Sequence, residues 1–303
     1  MIQTEKEQLT VDQINSFTEN GFLRLPAVLN KEELHAVRSE MDGLMESATP
    51  GEDFSFSQGH RDGSQILRRI EYVIDKSPAA RAMLGNPKML SASEQIAGKD
   101  FFPTQDAMVL KMPGQGIAVP WHRDNASTDD YPAEVPVFIA DFYLDEADDD
   151  TCLWVIPKSH RWSDSDTQER LKVLNHKGFS FEGASKVLMQ PGDVLLHNVR
   201  LLHGSPPNES AKLRRTIYYT VHTVHVEWEY GPHTREYIIA KQKVLRAAIR
   251  FRQQMAFASS EKVFEYNPPA EWDKGVLGDN EELTTYRYSA KEHRSDRYKT
   301  NKH

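Results

Sequence analysis

Trp121-His122-Arg123-Asp124, taken with His203 and Arg214 downstream, holds the residue types from which a redox metal centre is built. His122 and Asp124 stand two residues apart, so on an extended segment their side chains leave on the same face. A second imidazole from a distant strand, His203, completes two histidines and one carboxylate. Three such donors occupy one face of an octahedral ferrous ion and leave open positions, which non-haem iron oxygenases use for oxygen and a co-substrate. A basic residue soon after the second histidine then has a task. The planar guanidinium of Arg214 suits the far carboxylate of a dicarboxylic acid, gripped by two parallel hydrogen bonds.

Other residues compete for these roles. A second triplet, His60-Arg61-Asp62, lies between Gly59 and Gly63 in a polar stretch. Glycine on both sides gives the backbone too much freedom to fix ligands to a few tenths of an ångström, so this triplet reads as part of a lid. His197 competes with His203. It ends an apolar run and reads as a packed residue bonded to backbone, whereas His203 precedes Gly204, which lets backbone approach closely, and Ser205, a compact donor. His222, His233 and His225 read as structural or as lining a pocket mouth. Arg214 and Arg215 are adjacent and must point to opposite faces of a strand. One enters the interior and needs an anionic partner there; the other faces solvent.

The elements that must position these groups follow from period and punctuation. Residues 10–100 read as mainly helical. Thr10 with Gln13 is a capping box, Asn30 with Glu33 starts a second helix, and Ser77-Pro78 and Asn86-Pro87 put proline at a first helical position. Residues 48–64, rich in Gly, Ser and charge, read as a mobile loop. From about 105 to 225 the pattern is one of short strands: 107–112, 136–144, 152–156, 186–189, 194–197 and 213–222, with Pro191-Gly192-Asp193 as a tight turn. The expected fold is α+β: a jelly-roll, cupin-like core with helices from the N-terminal third and the C-terminal region packed outside. Residues 230–280 read as a C-terminal helix and extension, and 283–303 as a solvated tail. One domain is expected. The C-terminal helix either covers the sheet or pairs with a second copy in a homodimer.

Composition bounds the partners. The chain has 303 residues, 39% of them hydrophobic, and a formal charge of −8. An acidic balance argues against nucleic acid, which requires clustered lysine and arginine. The single cysteine, Cys152, admits no internal disulfide, which fits a reducing, cytoplasmic setting. No apolar run approaches the ~20 residues a membrane span needs. A small-molecule substrate is expected.

Several segments together resemble the phytanoyl-CoA dioxygenase family, in order and over roughly residues 10–225. They are Val109 to Gly114, Trp121 to Asn125, Leu153 to Arg161, Pro191-Gly192-Asp193, and His203-Gly204-Ser205 through Arg214. The resemblance implies a double-stranded β-helix that binds Fe(II) and 2-oxoglutarate, consumes O2, releases succinate and CO2, and uses ascorbate as accessory reductant. It implies His122, Asp124 and His203 as iron ligands, Arg214 on the far carboxylate of 2-oxoglutarate, and Ser205 and Gln105 as further co-substrate contacts. The sequence departs from the family pattern at Pro157-Lys158-Ser159-His160, where glycine is usual at the second position. Asp141 stands where a tryptophan is frequent, and Asp148 to Thr151 replaces a Glu-Asn-Gly turn. Retention of Asp124 implies oxygen insertion, desaturation or cyclisation rather than halogenation. A free metabolite, as in natural-product biosynthesis, fits the acidic chain better than an acyl-CoA, whose phosphates call for a basic patch. Two other readings stand beside this one: a cupin-type metal enzyme without 2-oxoglutarate, and a binding protein that keeps only the barrel.

Overall fold

The computed structural model describes residues 8–59, 61–124, 137–269 and 272. Helix α1 (Val11–Asn20) opens on the capping box: the Gln13 amide donates to Thr10 Oγ1 and the Thr10 amide to Gln13 Oε1. It closes on Gly21, whose φ of 85° suits glycine. Strand β1 (Phe22–Leu25) leads into α2 (Lys31–Glu46), capped by Asn30 through the Glu33 amide. Next come β2 (Phe54–Gln58), β3 (Gln65–Glu71) and the helices α3 (Val73–Lys76), α4 (Pro78–Leu84) and α5 (Pro87–Ala97). The last two begin at the expected prolines, under the side chains of Ser77 and Asn86. The core strands are β4 (Phe101–Lys111), β5 (Val119–His122), β6 (Phe138–Tyr143) and β7 (Leu153–Val155). Helix α6 (Asp164–Lys177) separates these from β8 (Ser185–Val187), β9 (Val194–Asn198), β10 (His203–Ser205) and β11 (Arg214–Thr223). Helices α7 (Val224–Tyr230) and α8 (Arg235–Arg252) follow.

The strands form two antiparallel sheets, the two halves of a jelly roll. The larger has the order β1-β9-β6-β11-β4-β3-β2, and the smaller β5-β10-β7-β8. Alternation sorts the side chains of the large sheet. On β11, Ile217, Tyr219 and Val221 join a core shared with α2, α4, α5 and α8, while Arg214, Thr216, Tyr218, Thr220 and His222 line a cavity on the opposite face. Strands β6 and β9 divide likewise: Ala140, Phe142, Val194 and Leu196 enter that core, and Ile139, Asp141, Tyr143 and His197 face the cavity, as does Val199 just beyond β9. Helix α8 buries Leu245 and Ala248 against its own chain and so covers the sheet.

Two expectations need correction. Residues 54–58, expected in a mobile loop, are strand β2, and with β3 they form a hairpin that extends the large sheet. Its serines and Gln58 mark β2 as the edge strand of the sheet. Helix α6 was not foreseen at all, although Ser163 caps it and Asp164, Asp166 and the terminal His176-Lys177 suit its dipole. His60 and residues 283–303, expected as lid and tail, lie outside the described residues.

Candidate metal and co-substrate site

Strand β5 is pinned before it delivers its ligands. The Trp121 amide donates to Asn175 Oδ1 of α6 at 2.9 Å, and its indole Nε1 to the Gly178 carbonyl at 2.8 Å. Arg123 points away from its neighbours and donates to Asp164 Oδ1 and to the carbonyls of Ser159 and Trp162. His122 and Asp124 are thereby left on one side, as their spacing requires. The Asp124 amide donates to the Val199 carbonyl, which fixes this residue where strand pairing ends.

His203 sits directly across from His122 in the β5–β10 pair. Their ring centroids are 4.2 Å apart. Gly204 permits this approach: a Cβ there would meet the Val119 carbonyl oxygen at 2.8 Å and Phe179 at 2.9 Å. Each imidazole donates from Nδ1 to a backbone carbonyl two residues upstream, His122 to Pro120 at 2.9 Å and His203 to Leu201 at 3.0 Å. Both rings therefore turn Nε2 inward as the unprotonated nitrogen, the tautomer a metal needs. One ligand atom from each of His122, Asp124 and His203 lies within 4.8 Å of the others. Such a donor set fits a divalent iron. Burial pulls the His203 imidazole down to about 3, so it stays a neutral donor. Burial would raise the Asp124 carboxyl, but the surrounding imidazoles hold it well below the usual range.

His197 is not bonded to backbone through its ring, as its position after an apolar run suggested. Its Nε2 donates to Asp124 Oδ2 at 2.9 Å, and its Nδ1 lies 2.9 Å from Asp141 Oδ2, in an ion-pair contact rather than an aligned hydrogen bond. Burial alone would lower this imidazole; the Asp141 and Asp124 carboxylates outweigh it and push it up to about 10.

The two arginines separate as alternation demands. Arg215 turns to the opposite, helix-covered face, but it is buried there at 5% exposure and does not face solvent as expected, because Asp145 holds it through Nε at 2.8 Å and Nη2 at 3.0 Å and Asp42 through Nη1. Arg214 turns into the cavity, 4% exposed. Its Nη1 donates to Thr216 Oγ1 at 2.9 Å, its Nε has no hydrogen-bond partner among the described residues, and none of their carboxylates pairs with it. A buried guanidinium in that state is a socket for an anion. Ser205 lines the same end of the cavity. Beneath it the buried Lys111 donates to the carbonyls of Ile117 at 2.5 Å and Pro206 at 2.7 Å, tying together the chain segments beside β5 and β10.

Gln105 also lines the cavity, but six residues along β4 from Lys111, the partner of Arg214. At ~3.3 Å per residue, about 20 Å of strand separates it from the guanidinium. The cavity has a volume of about 570 Å³. Around Gln105 it is walled by Thr104, Thr220 and His222, by Pro232 and His233 from the turn between α7 and α8, and by Tyr237 of α8. Tyr218 lies between the two ends, its hydroxyl accepting from Arg69 of β3. Neither Arg69 nor Tyr218 had a signal in the sequence, because their pairing crosses from β3 over β4 to β11.

Residues 17–216 match the phytanoyl-CoA dioxygenase family (PhyH). The methylphosphonate hydroxylase of Gimesia maris is 26% identical over 221 residues, which cover 70% of this chain and 80% of that protein. The ectoine dioxygenase of Bordetella bronchiseptica is 22% identical over 269 residues, 80% of this chain and 85% of its own. Among solved structures, EvdMO1 superposes with a TM-score of 0.61 at 28% identity over 70% of this chain, which spans half of that one. EctD of S. alaskensis, solved with 2-oxoglutarate and 5-hydroxyectoine, superposes at 0.59 with 18% identity, over 72% of this chain and 77% of its own. No described helix is long and apolar enough to cross a membrane. With the family match spanning most of its length, the chain belongs to the phytanoyl-CoA dioxygenase family and is a dioxygenase dependent on Fe(II) and 2-oxoglutarate.

Proposed function

We propose that His122, Asp124 and His203 hold the iron, that Arg214 and Ser205 hold 2-oxoglutarate, and that the enzyme hydroxylates, desaturates or cyclises a small free metabolite such as a natural-product intermediate. One observation carries this reading: three inward ligand atoms converge in a cavity that also contains a buried guanidinium without a carboxylate partner among the described residues. Ferrous iron and 2-oxoglutarate bound there would supply oxygen activation, with succinate and CO2 as co-products. The chain's own groups do the positioning. The Nδ1 bonds of both histidines fix their tautomers, and Arg214 sets the depth and direction of the co-substrate. The sheet on one side and the smaller sheet on the other keep bulk water from the reacting centre.

The substrate then lies toward the other end of the cavity, where Thr104, Gln105, Tyr218 and Thr220 offer hydrogen bonds. Gln105, expected on the co-substrate, lies too far from Arg214 for that and serves the substrate there. That lining and a cavity of about 570 Å³ favour a small polar molecule over a long apolar acyl chain. The names of the relatives agree, methylphosphonate, ectoine and proline being small, polar and not joined to coenzyme A. Selectivity resides in part in Pro232, His233 and Tyr237, which lie beyond the family match at 216. The segment from Asp124 to Pro136 follows a ligand and is placed to add selectivity; beyond Asp124 it is outside the described residues. The test is succinate release with Fe(II), ascorbate and 2-oxoglutarate across a panel of free polar metabolites and acyl-CoA thioesters. Stimulation by a free metabolite supports the proposal. Stimulation by thioesters alone overturns the substrate class, and no turnover with any compound favours a metal enzyme that does without 2-oxoglutarate.

A further inference from the structure

Asp141 on β6 and His197 on β9 both project into the cavity, and the strands place them diagonally: Ile139 pairs with His197 and Asp141 with Leu195. The His197 side chain is only 3% exposed and fills the gap between two carboxylates, Asp124 Oδ2 on Nε2 and Asp141 Oδ2 on Nδ1, each at 2.9 Å. It stands outside the cluster formed by the three candidate ligands, with its ring centroid 4.8 Å from that of His203. Asp124 needs such a support, because it follows the end of β5 and, among the described residues, its carboxylate's other contacts are to His122 at 3.5 Å and His203 at 3.4 Å, both proposed ligands themselves. A carboxylate with one oxygen already engaged by a donor is set to give an ion one oxygen rather than two. That leaves a coordination position free for the co-substrate.

We propose that His197, seated on Asp141, is a positioning residue of the metal centre that fixes the orientation of Asp124 and thereby strengthens metal binding. This rests on the proposed ligation by His122, Asp124 and His203. Groups that orient a ligand from behind typically change metal affinity by roughly 10–100-fold when removed, and that is the range expected for His197→Leu. His197→Gln keeps an amide N–H where Nε2 donates, so it restores most of the affinity. Asp141→Asn weakens the seat without removing the ring and shifts affinity in the same direction as His197→Leu.

The experiment is an anaerobic calorimetric titration of Fe(II) into wild type and the three variants, with thermal melts to establish that each is folded. Weak binding by His197→Leu and recovery by His197→Gln support the inference. Wild-type affinity in a folded His197→Leu, or no recovery with Gln, overturns it. Should the leucine variant fail to fold, Asp141→Asn decides: weaker binding supports the inference and unchanged binding overturns it. Pulsed electron paramagnetic resonance of the Cu(II)-loaded wild type adds an independent readout: two coordinated imidazoles fit, whereas three would make His197 a ligand and end the proposal. If wild type binds no metal, or His203→Ala binds it as well as wild type, the metal centre itself is wrong rather than the part played by His197.

Discussion

Replacing Arg214 by alanine removes the only guanidinium that alternation along β11 sends into the cavity; Arg215, next to it, is held outside by Asp145 and Asp42. The cost can be worked from its surroundings. Arg214 is 4% exposed and its Nε is unpartnered among the described residues, so a bound carboxylate gains a buried, charge-assisted pair. Truncating one side of such a pair costs about 2–4 kcal/mol, which is roughly 30- to 1000-fold in the 2-oxoglutarate concentration that half-saturates turnover. Iron binding should hardly change, since Arg214 is not among the clustered ligands. The assay is succinate formation against 2-oxoglutarate concentration, with anaerobic Fe(II) titration in parallel. Arg214→Lys keeps the charge and loses the fork, so it falls between wild type and alanine. Arg215→Ala is the contrasting case: it leaves Asp42 without this cation and Asp145 with Arg38 at 3.4 Å, and costs about 1–3 kcal/mol of stability, with co-substrate affinity intact. Unchanged 2-oxoglutarate dependence in Arg214→Ala, or a large shift in Arg215→Ala, would refute the assignment.

Gly204→Ala should push β10 from β5, because its new methyl would meet the Val119 carbonyl oxygen at 2.8 Å; the expected result is metal affinity reduced at least tenfold in a folded protein, measured by titration. Lys158 occupies the left-handed region at φ 70°. Lys158→Gly should relieve ~1 kcal/mol of strain and raise Tm by about 2–4 °C, read by calorimetry. Asp106 is buried, and desolvation raises its carboxyl from 3.8 to about 6, despite the hydrogen bond from the Ile74 amide. The folded state therefore holds this proton more tightly than the unfolded chain. The stability it supports is complete below pH 4 and is lost as pH rises through 6. Asp106→Asn should gain on wild type by ~3 kcal/mol between pH 4 and pH 7 in denaturant unfolding, and a constant difference would disprove the linkage.

The residues of the site were legible where the chemistry depends on local spacing. His122 and Asp124 share a face because they are two apart, and Gly204 marks the close approach of β10 to β5. Alternation likewise required that only one of Arg214 and Arg215 turn inward, but which one depends on the register of β11 against β4 and β6, settled by pairings far apart in sequence. His197 illustrates the limit. Nothing near it in the chain announces that β6 brings Asp141 alongside, so its bond to Asp124 was invisible. The same holds for Arg69 and Tyr218. Hairpin β2–β3 escaped notice because the edge strand β2 carries serines amid a Gly-rich, charged stretch that reads as a loop, and the pairing of β3 with β4 supplies the order. The departure at Lys158, visible as lysine in place of the family's glycine, acquires physical content only with its positive φ.

As proposed, two imidazoles and a carboxylate hold one iron beside a guanidinium that takes 2-oxoglutarate. Anaerobic addition of Fe(II) and then 2-oxoglutarate to wild type and His203→Ala tests it most directly, followed by visible absorption and metal analysis. Wild type should hold one iron per chain and show a charge-transfer band only when both are present, and His203→Ala should lose both signals. An equal iron content and band in the variant, or neither in wild type, would contradict it.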